Sequence, residues 1–490
     1  MGELRPTVQQ IPLAEVCRVL RVPPKQGTVS GLTIDSRQVQ AGDLYAALPG
    51  ERTHGANFVS QAIEKGAVAV VTDLEGAHII GPTSVPVLTV PYPREALGAL
   101  ARCIYAGPRP QLIGVTGTNG KTTTTHCVEA TMRAAGVPTA VIGTLGVRFD
   151  VLHDYSGRTT PEAPALHAAL QAVAEAGAYM AAMEVSSHAL ALHRVDGLRF
   201  DVAVFTGLSQ DHLDFHPTMD DYFTAKARLF DPQMSRLAVI NIDDEWGQRL
   251  AESVVIPTVT YAVTRPADWT ARDVKVGPDG LTRFVAVGPE NETSVTLAMP
   301  GGFNIANALA SMAAAHLLEV DLAAAAPGLA DVRVPGRFER VPNDRTIAAF
   351  VDYAHTPDAV TRVLGVARNV TSGKLIAVLG CGGDRDPHKR PLMGAAAAAI
   401  ADVVIVTDDN PRSEDPALIR ASMMAGIPRS VVAEEIGDRA QAIRRAVALA
   451  QPGDCVMVLG KGHEVGQEIA GVMHPFDDRD ELAAALVGRP

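Results

Sequence analysis

Short runs of four or five apolar residues recur along the chain and alternate with longer stretches of helical periodicity. Runs of that length suit strands covered on both faces, and their alternation with helices predicts α/β layers around mostly parallel sheets. In the first hundred or so residues the strand-like runs are Val68-Ala69-Val70-Val71 and Val87-Leu88-Thr89-Val90. Gly107-Pro108-Arg109-Pro110 then breaks the pattern with two prolines and a glycine, the composition of a linker. Next come the apolar strand Leu112-Ile113-Gly114-Val115, a glycine-rich turn and a helical stretch over 122–135. Buried strands are expected at 179–185, 202–205 and 237–242, followed by an alanine-rich helix at 305–318. Val334-Pro335-Gly336 marks a second boundary, after which the pattern restarts. Strands expected at 348–352, 375–379, 403–406 and 455–459, with a helix between each pair, describe a Rossmann-like unit. Three domains result, at 1–108, 109–336 and 337–490. The count agrees with length, since single cores stop growing near ~250–300 residues.

Composition narrows the class without changing this picture. With 47% apolar and 20% charged residues, the chain reads as an ordinary soluble globular protein. A net charge of −12 removes the basic footprint of a dedicated nucleic-acid binder, though it does not exclude a locally basic site for a small anion. The five cysteines are scattered and never form a Cys-x-x-Cys pair, so neither a disulfide framework nor a zinc site is expected. Residues 1–6 lack the basic-then-apolar run of a signal peptide, and Pro6 stands where a myristoylation signal needs Ser or Thr. The most apolar stretch, 393–407, is interrupted by Asp402 and falls short of the ~20 residues that cross a bilayer. A cytoplasmic protein without membrane insertion is the expectation.

Gly117-Thr118-Asn119-Gly120-Lys121-Thr122-Thr123 follows a strand and opens a helix. Backbone N–H groups of such a turn surround a polyphosphate, and the helix N-terminus adds positive potential. Lys121 supplies a point charge for the outer phosphates and Thr122 a hydroxyl for Mg²⁺. The longer Gly-x-x-x-x-Gly-Lys-Thr pattern fails, because Val115 occupies its first glycine. This is a compressed loop that begins at Gly117.

TGTNGKTTTT at 116–125 resembles the ATP loop of the Mur ligases, the ATP-dependent amide-forming enzymes of peptidoglycan precursor synthesis. Folylpolyglutamate synthetases share the loop type, so other segments must decide. Glu184-Val185-Ser186-Ser187-His188 and the stretch from Leu208 through Asp211-His212 to His216 look like the family's metal and substrate loops. Phe303-Asn304-Ile305-Ala306-Asn307-Ala308, Pro335-Gly336-Arg337-Phe338-Glu339 and Asp352-Tyr353-Ala354-His355 resemble its ATP contacts. Asp35-Ser36-Arg37 and Gly42-Asp43-Leu44 resemble its UDP-sugar loop. Gly383-Asp384-Arg385-Asp386 with Lys389-Arg390-Pro391, then Asp409-Asn410-Pro411-Arg412, then Gly460-Lys461-Gly462-His463-Glu464 resemble the members that add the third residue of the peptide.

The resemblance implies a UDP-MurNAc-binding domain at 1–108, a central ATP-binding domain at 109–336 and an amino-acid-binding Rossmann-like domain at 337–490. It implies transfer of the ATP γ-phosphoryl group to a carboxylate, followed by attack of an amino group on the acyl phosphate, in a pathway that serves the cell wall, cell shape and division. ATP would contact Gly117 to Thr123, Asn304, Arg337 and Asp352. Mg²⁺ would take Thr122 and Glu184, a second metal His212, and Lys226 would carry CO₂ as a carbamate. Lys121, Glu184, His212 and Lys226 are therefore the expected catalytic set.

Ile34, Ser36 and the Glu51-Arg52-Thr53 turn fall on the uridine diphosphate, and Thr159, Thr160, Ser186 and Arg194 on the muramoyl-dipeptide region. Leu192 departs from the pattern at a position commonly Gln in the family. Arg385, Asp409, Asn410, Pro411, Arg412, Gly460 and Glu464 would receive the incoming amino acid. The planar fork of Arg412 pairs bidentately with a carboxylate, which favours meso-diaminopimelate over amino acids lacking a distal carboxylate. An ion pair of Arg412 with Asp386 or Glu414 would instead admit L-lysine or L-ornithine. A folylpolyglutamate-type ligase and a silent UDP-sugar-binding homologue are less favoured, since neither needs the full set of motifs. The resemblance also implies a monomer.

Overall fold

Three mostly parallel sheets take up the apolar runs, and their interior strands are buried on both faces because helices cover both sides. The structure, a computed structural model, describes residues 4–50, 52–154, 157–277 and 281–488. The first sheet pairs Gly31–Thr33, Asp43–Ala46, Ala69–Thr72 and Val87–Thr89 in chain order, all parallel. Helices Leu13–Leu20 and Pro93–Ile104 close one of its faces through Leu13, Val16, Leu97, Leu100 and Ile104.

The central sheet has eight strands among the described residues, with Gln111–Thr116 in its interior. That strand lies parallel between Met180–Glu184 and Phe200–Phe205, in registers that pair Val115 with Glu184 and Thr116 with Phe205. Three strand ends thus finish at one level, which is where ligands bind in open α/β sheets. Ser235–Asn241 and Thr258–Tyr261 extend the sheet beyond Phe200–Phe205. On the other side Thr139–Gly143 leads to an antiparallel edge of Gly146–Phe149 and Leu152–Asp154. Helices Lys121–Ala134 and Gly302–Leu317 cover one face through Val128, Met132, Leu309 and Met312.

The expected central helices both begin before the predicted start. Lys121 opens the helix directly after Gly120, and Gly302 starts the alanine-rich one three residues ahead of Ile305. An antiparallel sheet of Thr270–Val276, Thr282–Val287 and Glu292–Leu297 is not anticipated by the sequence pattern. Its buried positions, Phe284 and Ala286 with Val295 and Leu297, alternate with less buried ones and pack on the central core.

The C-terminal sheet is ordered Glu339–Arg340, Ala348–Asp352, Cys455–Leu459, Leu375–Leu379, Val403–Val406 and Val432–Glu435. All neighbours are parallel except Glu339–Arg340, which is antiparallel. The helix Lys389–Ala398 starts four residues before Met393 and carries Pro391 in its first turn, where the missing N–H removes no helical bond. Among the described residues no helix is long and apolar enough to cross a membrane.

Candidate functional site

The glycines of the phosphate loop are demanded by space as well as by backbone angle. Gly117 has φ +147°, and a Cβ there would stand 1.9 Å from Thr206 Oγ1. Gly120, at φ +87°, turns the chain into the helix that Lys121 begins. Lys121 Nζ donates to the carbonyls of Gly117 and Thr118, both at 2.9 Å, and burial pushes its pKa down. Thr122 Oγ1 donates to Glu184 Oε2 at 2.9 Å. The second oxygen of Glu184 accepts from the Thr144 N–H at 2.8 Å, so this buried carboxylate is fixed at the end of its strand. Thr123 is buried in the first turn behind them.

A second group approaches the same loop from the helix Met219–Ala227, whose N-terminus is capped by Thr218. Lys226 is 1% exposed, and its Nζ donates to Gly117 O at 2.8 Å and sits 4.6 Å above the Tyr222 ring. Burial, reinforced by the charge of Lys121, pushes its pKa far below the usual lysine range. One carbonyl therefore receives both amines. His212, at φ +55°, presents its ring edge-on to His188 with centroids 4.8 Å apart. Burial pushes the pKa of His212 down to about 3 and that of His188 to about 4. His216 Nε2 is buried without a hydrogen-bond partner.

Asp211 is a buried carboxylate of this site that is absent from the residues expected from the sequence. Burial opposes its charge, but His212, His355 and Lys389 together hold its carboxyl well below the usual range. Lys389 Nζ lies 3.3 Å from Oδ1 and His355 Nε2 lies 3.5 Å from Oδ2, so Asp211 ties the central sheet to the C-terminal one. Its adjacency to His212 is the one signal the sequence offers.

Other expected nucleotide residues also meet at this junction. Arg337 Nη2 donates to Thr122 Oγ1 at 3.2 Å, and its guanidinium lies 4.3 Å over the Tyr353 ring. Asn119 Nδ2 donates to Asp358 Oδ2 at 3.3 Å. Thr118 shares a 3.2 Å hydroxyl contact with Tyr222. Asn304 is buried, donates to Pro300 O at 2.8 Å and accepts from Asn307. Asp352 accepts from the N–H groups of Phe338 at 2.6 Å and Ala354 at 2.7 Å, while burial raises its pKa. It shapes the turn that carries Arg337.

Thr160 Oγ1 donates to Glu184 O at 2.9 Å and accepts from Ser186 N at 3.1 Å. Thr159 Oγ1 accepts from Thr144 at 3.1 Å, and Arg194 Nη1 donates to Thr160 O at 3.4 Å. These four expected substrate residues therefore gather beside Glu184. Arg194 Nε also lies 3.0 Å from Glu162 Oε1 as an ion pair without hydrogen-bond alignment. Leu192 ends the short helix Ser187–Ala191 two residues before it. Ile34, Ser36, Arg52 and Thr53 lie apart from these, on loops that follow strands of the first sheet. Ser36 Oγ donates to Gln61 Oε1 at 2.7 Å, Thr53 Oγ1 accepts from Asn57 at 3.0 Å, Ile34 is half-buried and Arg52 is exposed. Glu51 lies outside the described residues.

At the carboxyl ends of the C-terminal strands several loops converge. Asn410 Nδ2 donates to Glu464 Oε2 at 2.8 Å, and the Asp409 carbonyl accepts from Gln467 at 2.6 Å. Gly460, at φ +117°, packs so tightly that a Cβ would stand 2.4 Å from Asp409 Oδ2. The Pro411 carbonyl is pressed still closer on Gly383, where a Cβ would stand 2.0 Å from its oxygen. Arg385 is exposed and donates to Asp384 O at 3.0 Å. Arg412, at φ +52°, donates Nη1 to Gly383 O at 2.6 Å. Its Nε lies 3.4 Å from Glu468 Oε2, a partner other than the expected Asp386 or Glu414. Glu414 is engaged by Arg390 at 2.8 Å, and Asp386 by Gln210 at 3.3 Å.

Three family models match the chain: the Mur ligase family catalytic domain over residues 28–105, the Mur ligase middle domain over 115–315 and the Mur ligase glutamate ligase domain over 336–462. A protein of Streptomyces coelicolor named UDP-N-acetylmuramoyl-L-alanyl-D-glutamate–2,6-diaminopimelate ligase is 51% identical, across 99% of this chain and 98% of its own. Proteins of the same name from Corynebacterium glutamicum and Synechococcus elongatus are 48% and 46% identical, each across 94% of this chain. A solved structure of a ligase with that name superposes with a TM-score of 0.67 at 34% identity, across 98% of this chain and 99% of its own. A Mycobacterium tuberculosis folylpolyglutamate synthase shares the fold at a TM-score of 0.63 and 20% identity, across 75% of this chain and 92% of its own.

Proposed function

The chain belongs to the Mur ligase family, and from that premise we propose that it joins meso-2,6-diaminopimelate to UDP-N-acetylmuramoyl-L-alanyl-D-glutamate, converting ATP to ADP and phosphate. The reaction is an ATP-dependent amide ligation in peptidoglycan synthesis, carried out in the cytoplasm. The observation that carries this reading is the meeting of two chemistries at one junction. A phosphate loop whose Thr122 is bonded to Glu184 is contacted by Arg337 from a domain that also presents Asn410, Arg412 and Glu464. The division into 1–108, 109–336 and 337–490 assigns the UDP-sugar, the nucleotide and the amino acid to successive units.

The D-glutamyl carboxylate attacks the γ-phosphorus and ADP leaves; the amine then attacks the acyl carbon, phosphate leaves and a proton is released. Both partners of the first step are anions, so positioning and charge stabilisation carry the catalysis. The backbone N–H groups of Gly117 to Thr123 and the Lys121 ammonium hold the phosphates, and Asn304 and Asp352 complete the nucleotide side. Arg337, already bonded to Thr122, places a guanidinium at the phosphates as the domains close.

Among the described residues no three His, Cys, Asp or Glu groups converge to hold a metal by themselves. The paired oxygens of Thr122 and Glu184 fit an ion that completes its shell with phosphate oxygens, as Mg²⁺ does. When bound, Mg²⁺ offsets the triphosphate charge. Thr122 and Glu184 would hold the first ion, with His212 and Lys226 serving a second. The buried, depressed amine of Lys226 is suited to be neutral and to add CO₂, forming an N–C bond and releasing a proton. The resulting carbamate supplies an anionic oxygen where lysine has only a cation. Ile34, Ser36, Glu51, Arg52 and Thr53 are assigned to the uridine diphosphate, and Thr159, Thr160, Ser186 and Arg194 to the muramoyl dipeptide.

The ion pair of Arg412 with Glu468 favours a second reading, in which L-lysine or L-ornithine is added, because that arginine already has a carboxylate. Incubation of the full chain with ATP, Mg²⁺, UDP-N-acetylmuramoyl-L-alanyl-D-glutamate and diaminopimelate tests the proposal. A product heavier by one diaminopimelate less water, with ADP in equal amount, is expected. ATP hydrolysis with no such product would refute it.

A further inference from the structure

Lys461 has no part in the account above, yet its ammonium is wholly buried inside the amino-acid cluster. Nζ donates to Asn410 Oδ1 and to Glu464 Oε2, both at 3.0 Å, and lies 3.9 Å from Asp409 Oδ1. A buried ammonium is strongly unfavourable unless its donors are matched, and here two bonds and an ion pair match them. The Asn410 oxygen also accepts from the backbone N–H of Glu468 at 2.9 Å. A backbone N–H can only donate, so the amide oxygen must face it and the amide nitrogen must face Glu464. Both bonds that Glu464 accepts fall on Oε2, and Oε1 carries neither.

The loop bearing Lys461 is braced from two sides. Arg439, buried with Asp478 at 2.7 Å, donates to Leu459 O at 2.9 Å and to Asp408 O at 3.2 Å. Those carbonyls immediately precede Gly460 and Asp409, so one guanidinium fixes both loops from behind. In front, Gly462 is packed so closely that a Cβ would stand 2.7 Å from Gly336 O and from Tyr353 Cβ. The same Tyr353 ring lies under Arg337, which reaches Thr122. Lys461 is therefore held in place and can hold its neighbours.

From this geometry we infer that Lys461 is a positioning residue that sets amino-acid specificity. It fixes the Asn410 amide and one oxygen of Glu464, leaving the other oxygen for the distal ammonium of a diamino acid. It does not touch the amino acid, being fully buried, and acts through Asn410 and Glu464. Its charge also separates Asp409 from Glu464, so that the incoming ammonium meets one carboxylate in one geometry. The inference rests on the diamino-acid ligase reading and adds to it the group that shapes that site.

Steady-state kinetics of the full chain, wild type against Lys461→Met, tests it. The KM for the diamino acid should rise about ten- to hundredfold, the loss expected for a hydrogen bond to a charged group. The KM values for ATP and the UDP-sugar should stay within about twofold, since uniform binding of those substrates is untouched. In a Glu464→Gln background the Lys461→Met effect should shrink, because residues acting through one another are not additive. Lys461→Gln keeps a donor of similar reach and should show the same selective rise at smaller size. It carries the test if Lys461→Met does not fold. An unchanged diamino-acid KM, an equal rise in all three KM values, or full additivity with Glu464→Gln would overturn the inference. Wild type that turns over no diamino acid would overturn the ligase reading itself, which separates the two failures.

Discussion

The phosphate loop and the amino-acid cluster stand on opposite sides of one domain junction and are built by different means. The first is one contiguous motif: strand, Gly117 to Thr123, helix, with Glu184 supplied by the neighbouring parallel strand. Its order lies in the backbone turn itself and in two glycines that leave no room for a Cβ. The second is gathered from Arg385, Asp409 to Arg412 and Gly460 to Glu464, on loops after three different strands, and its order rests on side-chain bonds and buried cations. A nucleotide is common to the whole family, so a local motif suffices for it. The added amino acid distinguishes members, and loops at strand ends can change without disturbing the sheet.

The largest loss is expected on the phosphate side. Lys121→Ala should lower kcat by about 10³-fold with the fold retained, because it removes a preorganised charge from the transferring phosphoryl group. Near-normal turnover in a folded variant would take ATP activation out of that loop. Lys226→Ala should cost about 10²-fold and be partly restored by acetate or formate, which can replace the missing anionic oxygen. Full activity without added carboxylate would make Lys226 a structural lysine only.

On the other side of the junction the effect should fall on KM. Arg412→Ala should raise the diaminopimelate KM by about 30-fold, the loss expected for a hydrogen bond to a charged group, with a smaller change for L-lysine. Equal effects on both amino acids would assign Arg412 to holding Glu468 and the Gly383 loop instead.

The smallest effect belongs to the junction itself. Asp211→Asn should weaken closure, raising the KM for ATP by about fivefold, less than a fully broken buried pair because the amide oxygen can still accept from Lys389. The folded-state carboxyl of Asp211 is held below its unfolded value, so its stabilisation is present above about pH 4 and is lost as pH falls through the folded value. Melting temperatures of wild type and variant should therefore differ by a constant amount between about pH 6 and 8 and converge in acid. A difference that grows toward higher pH would contradict the assignment.

The contrast between the two sites also explains what the sequence reveals. The strands at 348–352, 375–379, 403–406 and 455–459 are legible to the residue because they are short apolar runs, the last three of them buried throughout. The antiparallel sheet at 270–297 is not, since Arg272, Asp273 and Lys275 make its first strand look like a solvated loop. Lys121, Thr122 and Glu184 can be picked out because the loop announces itself locally. Asp211, Lys461 and Glu468 are not legible in the same way, because each takes a partner remote in sequence: Lys389 for Asp211, Asn410 for Lys461 and Arg412 for Glu468. A buried ion in a loop carries no periodicity, and the partner that makes it tolerable is chosen by the fold.

Competitive turnover shows whether the cluster around Asn410, Arg412 and Glu464 selects a diamino acid with a distal carboxylate. The full chain is given ATP, Mg²⁺, UDP-N-acetylmuramoyl-L-alanyl-D-glutamate and an equimolar mixture of meso-diaminopimelate, L-lysine and L-ornithine, and the products are separated by mass. Diaminopimelate product is expected in excess by about 10²-fold or more, since a site built to pair a distal carboxylate rejects analogues that lack it. Predominant addition of lysine or ornithine would contradict that selection.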